Sequence, residues 1–137
     1  MARNTFIDLG YFDMPVAYPA ASASAIGGPV GDLSRLNGRF IFFLDLPAIP
    51  VSSLRNGDSY TYNLISSNSP SFGSIVQSVE IGSVVGAGGN GSPATLLAIK
   101  PNQITGGEFL TLQIVASSGT TPPAAPQNEA TLRVAAW

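Results

Sequence analysis

Eight carboxylates and no histidine set the limits of the chemistry this chain could attempt. The acids are Asp8, Asp13, Asp32, Asp45, Asp58, Glu80, Glu108 and Glu129. Glycoside hydrolysis needs two such groups several ångströms apart across the scissile bond. Asp45 and Glu80 fall in strand-like runs, but no two acids are grouped, so no catalytic pair is expected. Asp58 reads as a turn residue after Asn56-Gly57, Asp32 as the cap of a single turn, and Glu129 as a solvated strand start. Serines cluster at Ser66, Ser67, Ser69, Ser71 and Ser74. A serine nucleophile needs a base to take its proton. With histidine absent, only Lys100 could serve, and no motif places it beside a serine. The residues predict no catalytic group and no enzyme.

Binding motifs for small ligands are equally sparse. The run GAGGNG at residues 86–91 superficially resembles a phosphate loop, but no Gly-Lys-Ser/Thr follows. Ser92-Pro93 leads instead into an apolar run, so a flexible hairpin connection is the simpler reading. There is no cysteine, hence no disulfide or thiolate metal site. No regular Asp/Asn series ends in Glu, so an EF-hand calcium loop is also excluded. No cofactor and no metal are expected.

The elements that carry these residues are strands. Phe40, Phe42, Leu44 and Leu46 alternate with Ile41, Phe43 and Asp45, and Tyr60, Tyr62 and Leu64 alternate with Thr61, Asn63 and Ile65. Residues 74–85 continue the pattern through Ile75, Val79 and Ile81, with Gln77 interrupting that face and Glu80 opposite. Residues 94–99 form a short apolar run. Leu110, Leu112 and Ile114 share a face in residues 109–116, as do Ala130, Leu132 and Val134 in residues 129–136. Period-two runs of this composition are strand signals. Thr5–Leu9 reads as a further strand. Asn56-Gly57-Asp58, Ser69-Pro70, Gly106-Gly107 and TPPAAP at 121–126 punctuate the runs as turns. Only residues 31–36 and 51–55 suggest helical turns. The pattern predicts an all-β fold, an antiparallel β-sandwich or jelly roll of about seven or eight strands.

A chain of 137 residues suits one domain with a single core. Within it, residues 1–31 read as an N-terminal strand plus an extended loop or arm, and 32–137 as the sandwich. The arm, GYFDMPVAYPAASASAIGGPVG, has no clean period but carries Tyr11, Phe12, Met14 and Tyr18. Either it lies on its own sandwich or it packs on a neighbouring subunit. In the second case those four residues, together with the terminal Trp137, are the expected partner interface. Phe40, Phe42 and Phe43 are expected in the core.

Only 10% of residues are charged, against roughly 25% in ordinary globular proteins. Interface cores are depleted in charge, so a surface of this kind suits a protein that others cover. The net charge of −2 and the five scattered arginines provide no basic stripe for nucleic acid. The N-terminus lacks the apolar core of a signal peptide, and no run approaches the roughly 20 apolar residues that cross a bilayer. The expectation is a protein made in the cytoplasm that engages neither nucleic acid nor membrane.

The stretches FIDLG, SYTYNLISSNSPSFGS and the closing GEFLTLQIVASSG…ATLRVAA resemble the small jelly-roll cement, or decoration, proteins of tailed-phage capsids. The resemblance is one of strand and turn pattern over most of residues 5–136. It implies a structural virion protein on the capsid exterior that bridges major capsid protein subunits, with no cofactor and no reaction. Residues 10–31 are longer than that pattern. A homo-oligomer, dimer or trimer, is expected from the low charge. The SSNSPSFGS loop is then a hairpin connection, with Phe72 folding back on the sandwich end. The alternative is a glycan-binding module of a phage tail or fibre, with Tyr60 and Tyr62 as a stacking platform beside Asn63, Asn68 and Asn90.

Overall fold

In the computed structural model the described residues are 11–19, 24–26, 31–32, 40–69, 71–89, 91–99, 106–118 and 126–136. They form nine strands: β1 (Tyr11–Val16), β2 (Ser24–Ile26), β3 (Gly31–Asp32), β4 (Phe40–Leu46), β5 (Ser59–Ser67), β6 (Ile75–Val85), β7 (Thr95–Ile99), β8 (Phe109–Ser117) and β9 (Ala130–Ala136). Among the described residues there is no helix.

Two antiparallel sheets face each other. One has the order β1-β9-β4-β7, the other β2-β8-β5-β6, with β3 also pairing β8. Because β2 and β3 pair successive stretches of β8, they act as one interrupted strand, and the chain then has eight. Apart from the β5–β6 hairpin, each step along that chain of eight passes to the opposite sheet. This is the jelly-roll order, and the fold is a jelly-roll β-sandwich.

The alternation in the sequence is what closes it. Tyr60, Tyr62 and Leu64 of β5 lie opposite Ala116, Ile114 and Leu112 of β8, and all six are buried. From the other sheet Leu44, Leu46, Ala130 and Leu132 complete the core. Each large side chain taken out of water here contributes about 1.5–3 kcal/mol.

Four expectations change. The aperiodic segment 10–31 contains β1, which runs in register with the last strand from Tyr11 opposite Ala135 to Val16 opposite Ala130. Pairing with β9 supplies the hydrogen bonds that local pattern did not announce. Asp32 is not a turn cap: it lies in β3, opposite Phe109. The glycine-rich run 86–91 is not a hairpin loop either, since β6 and β7 belong to different sheets. It carries the chain across the sandwich edge. Glycine is required in that crossing, because a Cβ on Gly86 would lie 2.0 Å from the Arg55 carbonyl oxygen, and one on Gly91 2.1 Å from that of Ile49. Phe42 packs against the core but Phe43 is only half-buried, on the opposite face of β4. Thr5–Leu9 lies outside the described residues.

Candidate functional site: an unpaired apolar edge

One side of the sandwich ends in β6 and β7, the last strands of their sheets. The two adjoin there, since a Cβ on Gly82 of β6 would come 3.1 Å from Leu97 Cδ1 of β7. Among the described residues β6 is the longest strand, at 11 residues, and pairs only with β5. Three of its exposed side chains are apolar. Ile75, Val76 and Val85 are 42%, 48% and 61% exposed, and Leu96 of β7 is 60% exposed. The single charge on these two strands is Glu80. An unpaired strand edge offers backbone donors and acceptors to another chain, and the apolar side chains make that pairing favourable. The sequence signal was present but faint: Gln77 and Glu80 break the alternation of residues 74–85, leaving no strictly polar face.

The loop 68–74 that opens β6 is a built hairpin connection. Ser67 Oγ donates to the Ser74 carbonyl at 2.7 Å, the Ser69 amide donates back to Ser67 Oγ at 3.1 Å, and the Phe72 amide donates to the Ser69 carbonyl. Phe72 adopts φ 54° and is buried. The serines hold the turn in which Phe72 takes this left-handed conformation.

Tyr18, Tyr60 and Tyr62 lie inside. Tyr18 Oη and Tyr62 Oη are 2.5 Å apart, and Tyr60 Oη donates to the Ser53 carbonyl at 3.0 Å. The ring of Tyr18 meets those of Tyr60 and Tyr62 edge-on, at centroid distances of 4.9 and 6.1 Å. Burial pushes the Tyr18 phenol up to about 12 and raises Tyr60 and Tyr62 as well. Tyr60 and Tyr62 therefore form no surface platform for a sugar.

Of the five residues expected at a partner interface, Tyr18 lies in the chain's own core, where its hydroxyl finds a partner. Tyr11, Phe12 and Met14 belong to β1, the edge strand farthest from β7 in its sheet. Trp137 lies outside the described residues. Neither β1 nor Tyr18 belongs to the β6–β7 edge.

The acids have local roles. Asp58 Oδ2 accepts from the backbone amide of Arg55 at 2.9 Å and from its Nε at 3.0 Å. The Arg55 guanidinium holds that carboxyl below its usual range. Arg55 also donates to Ser118 Oγ at 3.2 Å, tying the turn before β5 to the end of β8. Asp45 pairs with Arg133 at 3.1 Å on the outer face of the other sheet. No group of three or more metal-ligating residues occurs among the described residues.

No family model matches the chain, and no curated protein matches it.

Proposed function

We propose that the chain is a structural virion protein, a capsid cement or decoration protein that binds the outside of an icosahedral phage head and stabilises contacts between major capsid protein subunits. The observation that carries this reading is the β6–β7 edge: long, unpaired among the described residues, with exposed Ile75, Val76, Val85 and Leu96 and a single charge. The jelly-roll order is compatible with the role, although the same architecture also serves lectins and cupins. The strand-and-turn resemblance to phage cement proteins supplies the functional class.

The mechanism is binding alone. An edge strand can take up a strand or a flat apolar surface of the shell, and each copy needs only modest affinity. Repeated over a closed shell, such contacts act together, because a subunit that loses one contact is still held by its neighbours. A surface poor in Lys, Glu and Asp lowers the desolvation cost of being covered on several sides.

The test is the copy number of the chain in purified particles, by quantitative mass spectrometry against the major capsid protein. A ratio near one, or a simple fraction of it, is the expected result. A few copies per particle would move the chain to the tail, and absence from particles would overturn the reading.

A further inference from the structure

The ladder between β6 and β5 uses nine residues of β6: Ile75, Gln77, Ser78, Val79, Glu80, Gly82, Ser83, Val84 and Val85. Val76 and Ile81 fall at register shifts and stand out of it. The partners on β5 fix which way each residue points. Tyr60, Tyr62, Leu64 and Ser66 alternate along the buried inner face, so the residues opposite them, Val84, Gly82, Val79 and Gln77, share that face. The other five point outward. All five outward residues are exposed, and all four inward ones are half-buried.

Read along the strand, the outward face is Ile75, Ser78, Glu80, Ser83, Val85: apolar, serine, acid, serine, apolar. It has the same pattern in both directions. An antiparallel neighbour presents a strand reversed, so this face is complementary to itself. The geometry points to a second copy of this chain as the occupant of the edge, with two β6 strands paired antiparallel about a dyad at Glu80. With Val76 and Ile81 left out of the new ladder as they are out of the one with β5, Ile75 then lies against Val85 of the partner subunit, Ser78 against Ser83 of the partner subunit, and Glu80 against Glu80 of the partner subunit. On the inner face Val79 meets Gly82 of the partner subunit and Gln77 meets Val84 of the partner subunit. Every pair joins residues of the same face, which a register one residue away would not do. The pairing is isologous, as a two-fold interface requires.

The size is adequate. Eleven residues at about 3.4 Å each give an edge roughly 37 Å long, and two sheets about 10 Å apart with their outer side chains give a depth of about 20 Å. Because β7 has only five residues, about 17 Å, it fills less than half of the second layer, and the area is roughly 500 Å² per partner, near the ~1,000 Å² total that a specific interface should clear. What opposes association is the dyad itself. Like charges directly opposite destabilise a strand pair, and a charge on an edge strand is a common guard against pairing. Asn63 is opposite Glu80 on β5, and neither β5 nor β7 carries a charge that would compensate it. Glu80 thus sets how tightly the edge closes. The inference concerns the free chain and does not need the capsid reading; a shell surface seated on the same edge would displace the second copy.

Sedimentation equilibrium of the full chain tests it with Glu80→Lys and Glu80→Gln, both at an exposed position whose folding is checked by circular dichroism. Glu80→Gln is expected to self-associate at least tenfold more tightly than the parent chain. An equimolar mixture of the parent and Glu80→Lys is expected to form a heterodimer at least tenfold tighter than either alone, since only a dyad at residue 80 sets the two charges face to face. Hydrogen exchange in that heterodimer is expected to show new protection at residues 75–85. A mixture no tighter than its components, or protection elsewhere, would overturn the assignment.

Discussion

Tyr18, which follows β1, and Tyr62 in β5 place their phenol oxygens 2.5 Å apart inside the sandwich. The bond ties the segment after the first strand of one sheet to the middle of the other. Removing one hydroxyl leaves its partner buried without a bond, which costs about 1–3 kcal/mol. Tyr18→Phe and Tyr62→Phe are each expected to lower stability by about that amount in urea denaturation. The double variant should lose clearly less than the sum, because the second substitution removes the orphan created by the first. Additive losses would show that the two hydroxyls act independently.

The same cluster predicts how the protein responds to alkali. A tyrosine whose pKa is raised on folding contributes stability that is complete below the unfolded value of about 10 and lost as pH rises through the folded value. For Tyr18 that folded value is about 12. Tyr18, Tyr60 and Tyr62 are three of the four tyrosines in the chain. Tyrosinate absorbance near pH 10 should therefore fall short of that of four tyrosines while the fold persists. The remainder should appear together with loss of β-sheet circular dichroism. Titration of all four near pH 10 in the folded protein would refute the buried cluster.

Acid acts through Asp58. Its carboxyl is held below the usual range by Arg55, so the stability it contributes is present above the unfolded value of about 3.9. That contribution is lost as pH falls through the lower folded value. Asp58→Asn should lower the midpoint of denaturation at neutral pH and flatten its dependence on pH in the acid range. An unchanged acid profile in the variant would show that the Arg55–Asp58 contact contributes nothing to it.

The crossing between sheets depends on Gly91. It has φ +66°, and a Cβ there would meet the Ile49 carbonyl oxygen at 2.1 Å, beside the paired backbones of Ile49 and Ser92. Gly91→Ala is expected to destabilise by at least about 1–3 kcal/mol, the usual cost of strained backbone. Gly89→Ala has a similar φ, +69°, but nothing within 4 Å of its Cβ. The difference between the two thermal midpoints isolates the steric part.

Val85→Lys separates folding from binding. The side chain is 61% exposed and lies outside the core, so stability should change by no more than about 0.5 kcal/mol. On the proposed function, incorporation into particles should fall markedly, because a partner covering the edge would have to desolvate the new charge. Normal incorporation would place the contact elsewhere on the surface.

The architecture was legible wherever a strand had one wet and one dry face. Tyr60, Tyr62 and Leu64 announced β5, and Leu110, Leu112 and Ile114 announced β8, because burial of one face imposes a period of two. β1 could not be read the same way. Its residues Tyr11–Val16, with Pro15 inside, gain regularity only from β9, more than a hundred residues later. The glycine run failed for a related reason. Gly86 and Gly91 are fixed by backbone passing close to them from residues 49–55, and that proximity has no local signature.

By itself the sequence determined which side chains the chain has to work with and how its strands would be built. Without histidine or cysteine it lacks the commonest base and the thiolate ligands, and its alternating apolar runs must bury a face or remain exposed to water. Tertiary structure alone decided where the unspent apolar surface would lie. Tyr60 and Val85 are both side chains of strand type in the sequence, yet one sits in the middle of a sheet and the other on its last strand. That difference is a matter of strand order, set by which long-range pairings satisfy the backbone and the core together, and no window of sequence contains it.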